Sequence, residues 1–207
     1  MNGTSAVGYS SSNEACFLNK AKILYAIDDN NYISMSKELI ILNMKHLPCF
    51  DLDSHGIFSK DDIITDLERI WNKNDIKIEM RIYKTFKGIR IFLIHSYLNW
   101  ETEFDRMVKL LIHVDPVYAK MTKRDKTYKA RLNPKPNRVN GVIYKDCREC
   151  EFAATEYIKT LQYNPLLKGP AHARERDKEY IQYYRSDDYI ILIHDNISCA
   201  YSKKELR

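Results

Sequence analysis

Glycine and proline are scarce in this chain of 207 residues, with six of each. That scarcity excludes collagen-like and Gly/Pro-rich disordered classes. The five cysteines fall at irregular spacings, so they form no disulfide framework. No apolar run approaches the ~18 residues of a membrane-crossing helix. The opening M-N-G-T-S-A-V-G-Y-S-S-S-N-E lacks the basic-then-apolar profile of a secretory signal. The expectation is a cytoplasmic, intracellular chain with free thiols and no membrane partner. Also missing are G-x-x-x-x-G-K-[ST], G-x-S-x-G and H-E-x-x-H, which argues against P-loop, α/β-hydrolase and zincin chemistry.

What is present is an ordinary apolar content of 44%, fifteen tyrosines and a net charge of +5. The length suits one domain able to bury a core. The charge matters more by its distribution: from Lys120 to Arg138 there are eight Lys/Arg against one Asp. Such a segment sets up a positive field suited to phosphates, or it is a solvated basic loop. Tyr118 and Tyr128 lie in or beside it, as base-stacking candidates or as core residues. Pro134 and Pro136 stiffen it.

Residues 1–15 are small and polar and are expected to be a flexible tail, leaving 16–207 as a single domain. K-I-L-Y-A-I, D-D-N-N and Y-I-S-M outline a hairpin. K-E-L-I-I-L-N-M and L-P-C-F-D-L-D follow as strands. S-K-D-D-I-I-T-D-L-E-R-I-W opens with a Ser cap and continues at helical spacing. I-K-I-E-M-R-I-Y-K-T and I-R-I-F-L-I-H form a second hairpin around F-K-G. An amphipathic helix over Glu101–His113 and a short one over Val117–Met121 precede the basic strand or loop. A helix over Glu149–Leu161, a charged helix over 174–184 and a buried strand Y-I-I-L-I-H complete the reading. The order implies an α+β fold, a mixed and mainly antiparallel sheet flanked by helices.

The chemistry concentrates at Asp51 and Asp53. Residues i and i+2 of a strand share a face, so the two carboxylates project together, ~6–7 Å apart. They repel unless a cation or a donor lies between them. Hard divalent cations take oxygen ligands, and Mg²⁺ commonly uses one or two carboxylates plus substrate phosphates. The alternative is two acids crowding a solvated turn.

From Leu47 to Gly141 the succession of D-L-D strand, helix, K-T-F-K-G-I-R-I-F-L hairpin and R-L-N-P-K-P-N-R resembles the archaeo-eukaryotic primase-like (primase-polymerase) superfamily. The resemblance implies a metal-dependent nucleotidyltransferase acting on nucleic acid or a nucleoside triphosphate. Asp51, Asp53 and Asp115 would be catalytic ligands of Mg²⁺ or Mn²⁺, with Asp125 an alternative third acid. Thr85, Lys87, Gly88 and Arg90 would line the nucleotide-phosphate hairpin. Arg90 stands where the family has a histidine, and arginine can also hold a phosphate bidentately. Lys129, Arg131, Lys135 and Arg138 would face nucleic acid or the incoming triphosphate. On this reading, converting both Asp51 and Asp53 to Asn abolishes transfer and leaves the melting temperature unchanged or raised.

Two other readings stay open: a non-catalytic nucleic-acid-binding module using the basic segment, and a structural or partner-binding α+β protein. Smaller constellations weigh less. C-R-E-C at Cys147–Cys150 has the spacing of half a zinc site, but no second pair follows, so only Cys49, His55, His194 or Cys199 could complete it through tertiary proximity. His194–Asp195 is either an acid–base dyad or a histidine satisfied at a strand exit.

Overall fold

A computed structural model describes residues 22–36, 39–54, 58–73, 78–94, 96, 98–139, 151–162 and 177–207, of which 177–186 are described by their backbone alone. The expected tail, the C-R-E-C segment and His55 lie outside the described residues. In chain order the elements are β1 (Lys22–Ala26), β2 (Asn31–Ser36), β3 (Leu39–Met44), β4 (Cys49–Asp53) and α1 (Lys60–Lys73). Then come β5 (Glu79–Thr85), β6 (Gly88–Ile94), α2 (Phe104–Leu110), α3 (Pro116–Asp125) and β7 (Tyr128–Arg131). The last are β8 (Phe152–Ala153), β9 (Thr155–Leu161), α4 (Asp177–Ser198) and β10 (Glu205–Leu206).

Among the described residues the strands form two four-stranded sheets, ordered β1-β2-β3-β7 and β4-β6-β5-β9, and a parallel β8–β10 pair. Every neighbour within the two larger sheets is antiparallel. The fold class is therefore α+β, as the sequence implies. Both expected hairpins form, β1–β2 and β5–β6. One core runs through both sheets, with Ile40, Leu42 and Met44 from the first and Phe50, Ile82, Ile91 and Phe92 from the second.

Helix α1 starts as its sequence dictates. The Ser59 hydroxyl accepts from the Asp62 N–H at 3.2 Å, and the Asp62 carboxylate accepts from the Ser59 N–H at 2.8 Å. This reciprocal box satisfies two N–H groups that would otherwise lack partners. Ile63, Leu67 and Ile70 then bury at helical spacing.

Two expected elements are corrected. The run Tyr189–His194 is the interior of helix α4, not a strand. Its buried residues, Asp187, Ile190, Ile191, His194, Asp195 and Ser198, recur at three- and four-residue steps. Four of those six residues are polar, which hid the helical period and left an apolar run that periodicity cannot assign. The expected helix over Glu149–Leu161 is strand instead across its described part, β8 and β9. Pairing of β9 along β5 from Thr155 to Leu161 outweighs the helix preference of Glu151, Ala153 and Ala154. Helix α2 is shorter than expected. Helix α3 is longer, because Asp115 caps it and Pro116 occupies its first position.

Candidate functional site

Strand β4 alternates as a half-buried strand must. Cys49, Phe50 and Leu52 are buried, while Asp51 and Asp53 share the half-exposed face. Its partner β6 sets Asp51 opposite Arg90 and Asp53 opposite Gly88. At Gly88 the strands come so close that a Cβ would lie 2.0 Å from the Leu52 carbonyl oxygen and 3.0 Å from the Asp53 Cα. Only glycine fits there without a backbone shift. The turn is closed by the Thr85 hydroxyl, which accepts from the Gly88 N–H at 3.1 Å.

Arg90 is 2% exposed. Its Nε donates to Asp51 Oδ1 at 2.7 Å and its Nη2 to Asp51 Oδ2 at 3.1 Å, a fork-on-carboxylate pair. Its Nη1 donates to the Arg131 carbonyl at 2.8 Å, which joins β6 of one sheet to β7 of the other. Burial acts to lower the Arg90 pKa, but Asp51 more than offsets it, so the value is raised and the charge is firmly held.

Asp115 meets Asp51 through the backbone, its N–H donating to the Asp51 carbonyl at 2.9 Å. Its carboxylate turns the other way and caps α3, accepting from Val117 N–H at 2.8 Å and Tyr118 N–H at 3.3 Å. Asp125 is ion-paired with Arg124 at 2.7 Å and with Lys129. Among the described residues, no three or more His, Cys, Asp or Glu side chains are grouped so as to hold a metal ion. Asp51 has both oxygens on Arg90 and Asp115 has its carboxylate on a helix end. The side chains as placed therefore do not fit a Mg²⁺ or Mn²⁺ ligand set.

What does converge on this face is positive charge. The segment after β7 is pinned by Asn133, fully buried, whose Oδ1 accepts from Ile40 N–H at 2.8 Å, and by Leu132 N–H donating to the Ile40 carbonyl at 2.8 Å. Lys135 and the short 3₁₀ turn Pro136–Arg138 follow. Burial lowers the Arg131 pKa to about 10, with Arg90 and Arg138 reinforcing the shift and Asp51 opposing it. Lys135 is lowered by burial, then by Arg131, Arg138 and Lys87. Arg138 is lowered by burial, with Asp53 opposing. Arg131 Nε and Arg138 Nη1 are buried donors with no hydrogen-bond partner. The Arg138 guanidinium lies 4.3 Å over the exposed Phe86 ring at the tip of the β5–β6 turn.

Of the residues expected at the site, Asp51, Asp53, Lys87, Gly88, Arg90, Arg131, Lys135 and Arg138 come together around β4, the β5–β6 turn and the segment after β7. Thr85 builds the turn and Lys129 is engaged by Asp125. Tyr118 and Tyr128 do not present stacking faces here. The Tyr118 hydroxyl donates to the Cys49 carbonyl at 2.7 Å, and Tyr128 is buried with its ring stacked 4.5 Å from Trp100. Phe86 joins the site from outside the expected set, and its sequence signal is an aromatic residue in a tight turn with no core to reach.

His194 and Asp195 sit inside the core rather than at a strand exit. Asp195 accepts from the Tyr83 hydroxyl and from Arg81, each at 2.7 Å, and lies 3.0 Å from His194 Nδ1. His113, isolated in sequence, meets Asp66 at 3.0 Å. The Cys49 thiol is pushed up to about 12 by burial, which makes it inert at neutral pH. No helix is long and apolar enough to cross a membrane among the described residues. Comparison of the chain with protein-family models, with curated proteins and with solved structures finds no match in any of the three.

Proposed function

We propose that this chain binds phosphate groups of a nucleic acid or nucleotide on the cationic face formed by Lys87, Arg131, Lys135 and Arg138, without a metal ion. The observation that carries the reading is the pair of buried arginine donors lacking partners, Arg131 Nε and Arg138 Nη1. Buried donors are normally satisfied, and leaving one unmet costs about 1–3 kcal/mol. Here the crowding of like charges adds to that cost. A phosphate reaches these closed-off nitrogens only when the two side chains turn outward, and its oxygens then accept from both guanidinium groups and offset both penalties.

Binding of a fluorescent single-stranded oligonucleotide at varied salt tests this. The expected result is a steep salt dependence, with the slope falling by about 0.7 for each cation removed in Arg131→Met or Arg138→Met. No binding at low salt, or slopes unchanged in both variants, overturns the reading.

Metal-dependent nucleotidyl transfer stands as a second reading on one observation, the shared face of Asp51 and Asp53 beside these cations. It requires Arg90 to release Asp51. Manganese titration of nucleotide incorporation separates the two readings, because phosphate binding alone is indifferent to the metal.

A further inference from the structure

Beside the β5–β6 turn, a cavity of about 720 Å³ opens to solvent. That volume falls within the ~300–1,000 Å³ of ordinary ligand pockets. Its walls include three aromatic rings, Phe86, Tyr157 and Tyr201, together with Lys60, Lys203 and Glu156. The residues come from α1, the β5–β6 turn, β9 and the chain that follows α4.

The rings are positioned from the core outward. Tyr201 is 64% exposed, yet its hydroxyl accepts a hydrogen bond from Arg81. The Arg81 guanidinium also donates to Asp195 at 2.7 Å and covers the Tyr157 ring at 4.9 Å. Asp195 is 5% exposed and is fixed in turn by the buried Tyr83 hydroxyl. The Tyr157 and Tyr201 rings lie 5.1 Å apart at 47°. On another wall, Lys60 Nζ donates to the Thr85 carbonyl at 2.7 Å, which holds its charge at the base of the turn. An exposed aromatic side chain set before the ligand arrives loses little rotamer freedom on binding.

Phe86 belongs to two places at once. It lines this cavity and also carries the Arg138 guanidinium at 4.3 Å. A flat aromatic surface joined directly to a phosphate-attracting cluster is the chemistry that binds nucleotides regardless of sequence.

We propose that the cavity holds a nucleobase, stacked on Tyr201, of a ligand whose phosphate rests on Arg131 and Arg138 across Phe86. The proposal rests on the phosphate-binding reading above and adds the base subsite to it. The base belongs to a free nucleotide or to a single strand.

Titration calorimetry of the full chain with three probes tests it: inorganic tripolyphosphate, ATP and a ten-residue oligothymidylate. The wild-type chain is expected to bind ATP or the oligonucleotide more tightly than tripolyphosphate. Tyr201→Leu should weaken the nucleotide probe by about 5- to 150-fold, the usual range for one stacked base, and leave tripolyphosphate unchanged. Phe86→Leu, also at an exposed position, should act in the same direction. Weakening confined to ATP identifies a free nucleotide, and weakening confined to the oligonucleotide identifies a strand. If tripolyphosphate binds as tightly as both nucleotide probes and neither variant matters, the base subsite is overturned while the phosphate reading survives. If tripolyphosphate does not bind, the phosphate reading fails and this proposal fails with it.

Discussion

Replacing Asp51 by Asn separates two accounts of the acidic pair. If Asp51 were chiefly a metal ligand crowded by Asp53, removing its charge would relieve repulsion, and the melting temperature would hold or rise. The structure argues the reverse. Arg90 is 2% exposed and depends on both Asp51 oxygens, at 2.7 and 3.1 Å. Asparagine keeps one acceptor but turns an amide donor towards the guanidinium, and it leaves a buried cation uncompensated. Breaking a buried ion pair costs about 3–5 kcal/mol. The Asp51 side chain is 29% exposed, so water partly takes its place, and about 2–4 kcal/mol is a fair expectation here. For a chain of this length each kcal/mol moves the midpoint by about 2–4 °C, giving a fall of about 5–15 °C. Thermal unfolding followed by circular dichroism measures it. The double change Asp51→Leu with Arg90→Met should recover most of the loss, because an apolar pair of similar volume carries no desolvation penalty. An unchanged or raised midpoint for Asp51→Asn would refute the structural role assigned to the pair.

Arg131→Met should behave in the opposite sense, raising the ligand-free melting temperature by the equivalent of about 1 kcal/mol while weakening polyanion binding, since it removes a buried donor with no partner. Gly88→Ala forces a Cβ to within 2.0 Å of the Leu52 carbonyl oxygen, so the urea midpoint should fall by the equivalent of about 3 kcal/mol. The His194 pKa is lowered by burial and further by Arg90, against the pull of Asp195. The unfolded chain therefore takes up that proton first, and His194 lowers stability as pH falls from about 6.5 towards the depressed folded value. His194→Phe, packed on Tyr83 and Phe92, should flatten the stability–pH curve in that window, and an unaltered acid limb in urea titrations would contradict the assignment.

Local patterns made much of this site readable. The i, i+2 spacing set both aspartates on one face, strict alternation marked the β5–β6 hairpin, and the density of lysine and arginine marked the segment after β7. The sequence does not carry the identity of the Asp51 partner. A D-x-D at a strand end has the same spacing whether it faces a cation or a guanidinium, and only the register of β4 on β6 decides. Asp115 was open to a local reading, because an aspartate followed by proline at the first helical position is a cap. Helix α4 was obscured because its buried stripe includes Asp187, His194, Asp195 and Ser198, polar residues of kinds that ordinarily face solvent. The base subsite was out of reach for a different reason. Lys60, Phe86, Tyr157 and Tyr201 belong to four separated stretches, and nothing local links them.

Two arginines of the same cleft show how structure and binding are divided. Arg90 has a carboxylate on two nitrogens and a carbonyl on the third, and it joins the sheets. Arg131 lends only its carbonyl to that junction, while its own Nε stays unpartnered and its pKa is lowered by burial and then by Arg90 and Arg138. A junction built for stability alone would gain from an apolar side chain at 131. The unfavourable charge at Arg131 is also distinct from the tie at Arg90, so binding can be removed at one residue without unfolding the other. That separation lets one calorimeter and one melting curve assign each arginine its role: Arg90→Met should lower stability, and Arg131→Met should lower affinity.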